Sequence, residues 1–239
     1  MLMERGNVPL TDLHMHSQFS PCGVDVDIYK DTYKAFEKGL KIIAITDHGT
    51  SRRPSWIKRY FKVLESINPP VIVLPGIEVD VNLKGEFVVE RDVLKKFKVI
   101  LAALHKLPDL KGESLYKWWR DTMIKISESG AAQIIAHPTD IGWHKVNVPP
   151  EYCLEVIDAI KENGLIVELN YHHADPLDPF LKLCIKNGVK LTPTSDAHKL
   201  KEIGHLNWHV AKIRGLGFAL SDVNWLSERE IISIFYDSD

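Results

Sequence analysis

The chain has few cysteines, no excess of basic charge and no long apolar run, and each absence excludes a class of protein. Three widely spaced cysteines in 239 residues do not make the disulfide framework of a small secreted protein, so we expect reduced thiols. No run approaches the ~18 apolar residues of a membrane-spanning helix, and no early basic-then-apolar segment is typical of a signal peptide. These absences predict a cytoplasmic protein that does not enter a membrane.

The charge balance also limits the function. A net charge of −2 gives no global support to a nucleic-acid binder, because such proteins neutralise phosphates with lysine and arginine. No glycine-rich phosphate loop lies at a strand–helix junction, so nucleotide-driven switching is unsupported. The length fits one large domain or two small ones, and without a linker or low-complexity tract we expect a single domain over residues 1–239.

Short apolar segments rich in β-branched residues alternate with segments of helical periodicity. The predicted strands are residues 8–14, 40–48, 70–78, 97–105, 131–138, 165–170 and 188–198. The predicted helices are residues 28–39, 55–67, 114–130, 150–164 and 178–188. The capping-box sequence SERE at 227–230 opens a final helix. Strands this apolar are typical of a parallel sheet buried on both faces, and about seven βα units favour an α/β barrel over an open sheet.

Residues that can bind a metal lie at the C-terminal ends of the predicted strands. His14 and His16 end the first strand in DLHMH, and Cys22 follows six residues later. The later strand ends supply Asp47, His48, Glu78, His105, His137, Asp196 and His198. In a parallel barrel these ends converge on one mouth, where the active sites of such folds lie.

A metal site is the simplest explanation for this convergence. A single histidine at a strand end is most often a structural residue. Six histidines with Glu78 and Asp196 among them would be costly to bury without a cation. Imidazole and carboxylate ligands together suit zinc, iron or manganese. The strand ends therefore predict a polynuclear metal site.

The order of these motifs resembles that of the polymerase and histidinol phosphatase (PHP) family. The motifs are HMH at 14–16, ITDH at 45–48, GIE at 76–78, LH at 104–105, AHP at 136–138 and SDAH at 195–198. The resemblance covers about residues 10 to 235, and GVKLTPTSDAHKLKEIG is especially similar to the PHP domain attached to bacterial family X DNA polymerases. It implies a stand-alone PHP domain, folded as a distorted (β/α)7 TIM-like barrel with its metal site at the C-terminal ends of the strands.

The resemblance also implies two to three divalent ions (zinc, manganese or iron) with a ligand set for each. The first ion would be bound by His14, His16, Glu78 and Asp196. The second would share Glu78 and add His105 and His137. The third would be bound by His48, His198 and the residue at position 22, where family members often have His or Asp and this chain has Cys22. A thiolate ligand favours zinc or iron over manganese; the alternative is that Cys22 is only a loop residue and the third ion is weakly held or absent.

Clustered divalent ions favour the hydrolysis of phosphate esters. We predict an enzyme that hydrolyses a phosphate monoester, with a hydroxide bridging the first two ions as the nucleophile. The alternatives are a 3′–5′ exonuclease or nucleotide phosphodiesterase on single-strand ends and a histidinol-phosphatase-like enzyme. The lack of basic charge favours a small phosphorylated substrate over a nucleic-acid end. A non-catalytic binding subunit is disfavoured, because eight of the nine ligand positions have the usual residue types.

Four further residues are candidates for catalysis or substrate contact. Asp47 is predicted to orient an imidazole or to relay a proton. Arg52 and Lys106 are predicted to contact phosphate. His172 or its neighbour His173, just past the sixth strand, is a candidate proton donor to the substrate. For each of them a solvated or structural role is the alternative.

Overall fold

Ten strands and eight α-helices lie within residues 8–236, the part of the chain that the computed structural model describes. The strands are β1 (Thr11–Met15), β2 (Ile42–Ile45), β3 (His48–Gly49), β4 (Ile72–Asp80), β5 (Val99–Ala103), β6 (Ile134–Ile135), β7 (Asp140–Ile141), β8 (His144–Lys145), β9 (Ile166–Asn170) and β10 (Leu191–Thr194). The helices are α1 (Ile28–Glu37), α2 (Ile57–Ser66), α3 (Arg91–Leu94), α4 (Glu113–Glu128), α5 (Pro150–Glu162), α6 (Asp178–Lys186), α7 (Leu206–Gly215) and α8 (Glu228–Ile231). The chain also has short helical segments at Leu200–Glu202, Leu220–Asp222 and Ile232–Tyr236. Within the described range, no helix has the length and apolar content needed to cross a bilayer.

Seven parallel strands form a nearly closed barrel in the order β1, β2, β4, β5, β6, β9, β10. The short β3 pairs with β4, and β7 and β8 form a separate antiparallel hairpin. The ring closes just beyond the end of β10. There the Asp196 amide donates to the His14 carbonyl at 2.8 Å, and the His16 amide donates to the Ala197 carbonyl at 3.1 Å. The first and seventh strands therefore stand side by side at the mouth.

This architecture confirms the predicted α/β barrel. Each predicted strand segment overlaps one strand of the barrel, and the five predicted helices correspond to α1, α2, α4, α5 and α6. The fifth segment, 131–138, keeps only β6, because His137 has a φ of 50° and leaves the extended conformation. Helix α3, between β4 and β5, and the β7–β8 hairpin, between β6 and α5, were not predicted.

Apolar side chains fill the inside of the barrel and a second layer between the strands and the helices. The C-terminal segment seals the base of the barrel, where Leu226, Ile231 and Phe235 join the inner core. The predicted capping box fixes this segment. The hydroxyl of Ser227 accepts from the Glu230 amide at 3.3 Å, and the Glu230 carboxylate accepts from the Ser227 amide at 2.9 Å. With its base sealed by apolar contacts, the barrel has its polar side chains at the other end.

Candidate metal centre

Glu78 lies at the centre of the mouth, in contact with histidines from four parts of the barrel. Its Oε2 is 2.7 Å from His48 Nδ1 and 3.5 Å from His14 Nε2. Its Oε1 is 3.2 Å from His105 Nε2 and 3.0 Å from His137 Nε2. The Glu78 side chain is buried. One buried carboxylate thus contacts residues that the resemblance assigns to three different ions.

Asp196 is the second carboxylate of the mouth. Its Oδ1 is 2.9 Å from His16 Nε2, 3.5 Å from His14 Nε2 and 3.6 Å from His198 Nδ1. Asp196 and His137 have φ values of 52° and 50°, a left-handed conformation that is uncommon for residues other than glycine. Such backbone strain is concentrated at functional sites, which agrees with the position of both residues in the mouth.

Carboxylates outside the mouth orient two of the imidazoles. Glu168 accepts from His14 Nδ1 at 2.9 Å, and Asp80 accepts from His105 Nδ1 at 2.7 Å. A neutral imidazole that donates from Nδ1 has a bare lone pair on Nε2. In both histidines that lone pair faces an oxygen of Glu78. Because two acceptors in contact repel each other, this arrangement requires either a proton or a metal ion between them.

The same arrangement recurs at His16 and His198. Ser20 donates its hydroxyl proton to Asp47 at 2.6 Å, so its oxygen accepts from His16 Nδ1 at 2.9 Å. His198 Nδ1 donates to the backbone carbonyl of Asp196 at 2.8 Å. Asp47 therefore lies one hydroxyl away from an imidazole, a position suited to the predicted orienting role. Its proton-relay role stays a prediction.

Several buried polar atoms of the mouth have no hydrogen-bond partner among the described residues, namely His14 Nε2, His48 Nδ1, His137 Nδ1 and Glu78 Oε2. His48 Nδ1 and Glu78 Oε2 are only 2.7 Å apart, yet they lack hydrogen-bond geometry. Buried polar atoms are otherwise nearly always paired. Ligand atoms lie within 4.8 Å of one another in five groups, His14–His16–Glu78, His48–Glu78–His105, His16–His48–His198, His137–His173–Asp196 and His172–His198–Glu202. Nitrogen and oxygen donors gathered in this way fit divalent ions such as zinc.

Burial alone would raise the pKa of both mouth carboxylates, but the histidines reverse this effect. His48 and His105 hold the pKa of Glu78 well below its usual range. His14 does the same, as the strongest of several partners, for the pKa of Asp196. Both groups are therefore ionised, and the protons lie on the imidazoles: although burial lowers their pKa values, the charge of Glu78 raises the pKa of His48 to about 11 and that of His105 to about 10. Metal binding would displace these protons.

Cys22 lies beside two predicted ligands of the third ion. Burial would raise the pKa of its thiol, but hydrogen bonds with His198 and His48 outweigh burial and lower the pKa to about 6. The deprotonated thiol is the form that binds metal. The other two cysteines, Cys153 and Cys184, are buried in the apolar core and do not belong to the candidate metal site.

Arg52 and Lys106, the two predicted phosphate contacts, lie on the surface around the mouth. Arg52 is largely exposed, and its guanidinium is 2.8 Å from Glu90. Lys106 lines a cavity of about 340 Å³ together with His105 and Leu83. Lys106 is thus adjacent to a proposed ligand, whereas Arg52 already has an acidic partner. A contact with phosphate stays a prediction for both.

The two histidines after β9 both reach the mouth. The ring of His172 stacks on His198 with 4.6 Å between centroids. His173 is nearly buried, with Nδ1 3.1 Å from Asp140 Oδ2 and Nε2 3.5 Å from Asp196 Oδ2. The predicted role of a proton donor is not tested by these contacts, but both side chains lie where a substrate would enter.

Three carboxylates that hold histidines in place were not predicted: Asp80, Glu168 and Asp140. Asp80 stands two residues after Glu78 in β4, and Glu168 interrupts the otherwise apolar strand LIVELN. A carboxylate in a buried strand is costly unless it is paired, and that signal was available in the sequence. Asp140 lies in the unpredicted hairpin, where the sequence offered no comparable signal.

The sequence of the chain is similar to those of several known proteins. Residues 12–172 match the PHP domain family. A protein of Shewanella piezotolerans named as a probable phosphatase is 33% identical, over 88% of this chain and 87% of that protein. A probable phosphatase of Acetivibrio thermocellus is 24% identical over 83% of each chain. The DNA polymerase/3′-5′ exonuclease PolX of Bacillus subtilis is 25% identical, over 89% of this chain and 38% of the polymerase.

One solved structure is similar over nearly its whole length. The histidinol phosphate phosphatase of Lactococcus lactis, in complex with zinc, L-histidinol and phosphate, aligns with 87% of this chain and 94% of its own, with a TM-score of 0.64. The sequence identity is 14%, so the likeness is one of fold.

Proposed function

The chain belongs to the PHP domain family, and from this premise we propose that it is a metal-dependent hydrolase of phosphate monoesters. Its enzyme class is that of the phosphoesterase-type hydrolases, in line with the relatives named as phosphatases. One observation carries the proposal. Imidazole nitrogens held in place by acceptors on their other side face two buried carboxylates in the mouth, and metal ions would occupy the positions between them.

The donor groups support part of the ligand sets that the resemblance implies: His14, His16 and Glu78 of the first set form one group, whereas Asp196 is grouped with His137 and His173, and Cys22 belongs to none of the groups. The first set is His14, His16, Glu78 and Asp196, the second is Glu78, His105 and His137, and the third is His48, His198 and Cys22. When bound, divalent ions supply a hydroxide nucleophile at neutral pH and neutralise charge on the phosphoryl oxygens. Glu168, Asp80 and Ser20 act as positioning residues, because each accepts from Nδ1 of one imidazole and so directs its Nε2 into the mouth.

A second candidate function is the removal of nucleotides from single-strand ends. The similarity to a polymerase named as a 3′-5′ exonuclease, over 89% of this chain, is the observation that favours it. The net charge of −2 argues for the smaller substrate, because affinity for nucleic acid draws on phosphate neutralisation. An assay that contains both kinds of substrate separates the two functions.

The experiment combines metal analysis with hydrolysis. Purified protein is analysed by plasma mass spectrometry and assayed with p-nitrophenyl phosphate, glycerol 3-phosphate and an end-labelled single-stranded oligonucleotide, with and without added zinc or manganese. We expect about two to three ions per chain and monoester turnover that a chelator abolishes and added metal restores. Nucleotide release without monoester turnover would favour the exonuclease.

A matched pair of variants tests the site itself. His14→Ala removes a buried donor of the mouth and should abolish turnover while the fold survives. His205→Ala is the control, because that ring stacks on Tyr171 at 4.4 Å and belongs to none of the mouth groups. Full activity of His14→Ala, or the absence of metal and turnover after reconstitution of the unmodified protein, would overturn the proposal.

A further inference from the structure

Trp143 is an exposed aromatic side chain at the rim of the mouth. It stands at the tip of the β7–β8 hairpin, and 67% of its surface is accessible. The other five tryptophans of the chain are buried or half-buried. Single exposed aromatic side chains are common on protein surfaces, so what distinguishes Trp143 is its place beside the metal centre and not its exposure.

Ring contacts connect Trp143 to two of the proposed metal sites. Its ring stacks on His173 at 4.3 Å and meets His172 at 5.4 Å. His173 in turn stacks on His137 at 4.5 Å, and His172 stacks on His198 at 4.6 Å. Trp143 is therefore one ring away from a proposed ligand of the second ion and from one of the third. The alcohol portion of a phosphate ester bound among these ligands would then lie within reach of the indole.

The backbone holds Trp143 in an unfavourable conformation. Gly142 and Trp143 have φ values of 56° and 67°, a pair that forms the tight turn usually occupied by Asn and Gly. A Cβ at Gly142 would lie 2.6 Å from the His105 carbonyl, so the turn is pressed against the end of β5. Lys145 joins the two strands of the hairpin through Asp140 at 3.0 Å and donates to the backbone carbonyl of His173 outside it. A bulky residue is strained at such a position, and packing does not account for an exposed ring.

We propose that Trp143 is a specificity-determining residue, which stacks on a flat aromatic ring in the alcohol portion of the phosphate monoester. The preferred substrates are then monoesters such as nucleoside monophosphates rather than aliphatic phosphates. His173 covers one face of the indole and leaves the other face for the substrate. This inference rests on the proposed hydrolysis of monoesters and names the class of substrate.

The cavity of about 340 Å³ beside His105 is the competing position for the alcohol portion. Its lining combines the charged side chains of Asp80, Glu86 and Lys84 with the apolar side chains of Val81, Leu83 and Val88. An apolar ring could bind there as well as on the indole, so the test has to separate the two positions. Leu83 therefore provides the matched control for Trp143.

The test compares three variants of the metal-loaded protein, Trp143→Asn, Trp143→Phe and Leu83→Ala, on adenosine 5′-monophosphate and glycerol 3-phosphate. Stacking of a base on an aromatic side chain predicts a loss of about 10-fold in kcat/KM for the nucleotide in Trp143→Asn, mostly through KM. Glycerol 3-phosphate turnover should not change, and Trp143→Phe should keep most of the nucleotide preference. Because Asn tolerates a positive φ, Trp143→Asn should unfold at the same temperature or a higher one.

A binding measurement without hydrolysis provides an independent readout. Adenosine, which has no phosphate, should quench the tryptophan fluorescence of the unmodified protein and not that of Trp143→Asn. Equal losses on both phosphates in Trp143→Asn, or a nucleotide preference lost only in Leu83→Ala, would overturn the inference. If the unmodified protein hydrolyses neither phosphate, the proposed function fails, while adenosine quenching still decides whether Trp143 binds a flat ring.

Discussion

The two ends of the barrel are built on the same strands and are held together by opposite means. In β4, Leu74 belongs to the inner apolar core, whereas Glu78, four residues later, lies among the histidines of the mouth. The base gains stability from burial of apolar surface, which requires no ligand. The mouth buries charges and imidazoles, which are unfavourable unless a cation joins them. The difference indicates that apolar packing at the base stabilises the fold, whereas the chemical activity requires a ligand at the mouth.

The largest expected effect comes from Glu78→Gln, which removes the carboxylate shared by the donor groups. Turnover should fall by roughly 10³-fold or more, because metal ions supply several kcal/mol of transition-state stabilisation. Bound metal, measured by plasma mass spectrometry, should fall as well, whereas the circular dichroism spectrum should not change. Glu86→Gln is the control, because Glu86 is exposed and pairs with Asn82 outside the mouth. A fully active Glu78→Gln protein would remove the contrast between the two ends.

The opposite end should respond in the opposite way. Phe235→Ala opens a cavity in the apolar seal, so the free energy of unfolding should fall by about 3–5 kcal/mol. Turnover per folded molecule should stay the same. Urea denaturation provides the first value and an assay of the folded fraction the second. Tyr236→Ala, next in sequence but 58% exposed, should change stability by less than about 0.5 kcal/mol. Equal effects of the two variants would show that Phe235 does not seal the base.

A smaller loss of metal binding is expected from Asp80, which contacts a proposed ligand from outside the mouth. Asp80→Ala leaves His105 Nδ1 without its acceptor, so the ring loses its fixed orientation. Metal affinity should fall about 10- to 100-fold, as measured by competition with a chelating dye. Asp92→Ala is the control, since that exposed carboxylate pairs with Arg53. An unchanged affinity in Asp80→Ala would show that His105 needs no such support.

Asp31 sharpens the comparison, because it is a buried carboxylate without histidine neighbours. Neither of its side-chain oxygens has a hydrogen-bond partner among the described residues. Burial first, and then the nearby carboxylates Asp27 and Asp47, raise the pKa of Asp31 to about 9. The folded chain then holds a proton that the unfolded chain releases near pH 4. Stability conferred by that proton is lost as the pH rises from about 4 to 9, at up to about 1.4 kcal/mol per pH unit.

The matching variant is Asp31→Asn, which has no proton to release. Its free energy of unfolding should fall less steeply with pH than that of the unmodified protein, when both are measured in urea at pH 6 and pH 8 with a chelator present. The difference between the two slopes isolates Asp31, because the other titrating groups are common to both proteins. Parallel profiles would show that Asp31 is not buried as a neutral acid.

The features that follow from local pattern were predictable, and those that depend on register were not. Alternation of apolar strands with helices predicted the barrel, and the strand ends predicted which residues meet. Glu78, predicted from GIE at a strand end, does contact His14, His48 and His105. By contrast, His14 and Glu168 are separated by 154 positions, so their contact depends on how distant strands align.

The hairpin at 140–145 shows a different limit. Tight turns of this kind are recognised by Asn or Gly at positions with positive φ, and here the second position is Trp143. The residue that breaks the turn rule is the one to which we assign a function. Conflicts between local preference and observed structure are expected at functional sites. The ligand sets, the role of Cys22 and the single domain over 1–239 stay predictions.

The hydrogen bond between His16 and Asp196 joins positions 180 residues apart, and this separation has a consequence for the timing of metal uptake. During synthesis the first two histidines leave the ribosome long before the seventh strand does. The complete set of donors therefore exists only after the last strand has docked against the first. If metal ions bind to this set, loading is a late step in the maturation of each molecule, and the metal content of a preparation would report the fraction of chains whose barrel has closed.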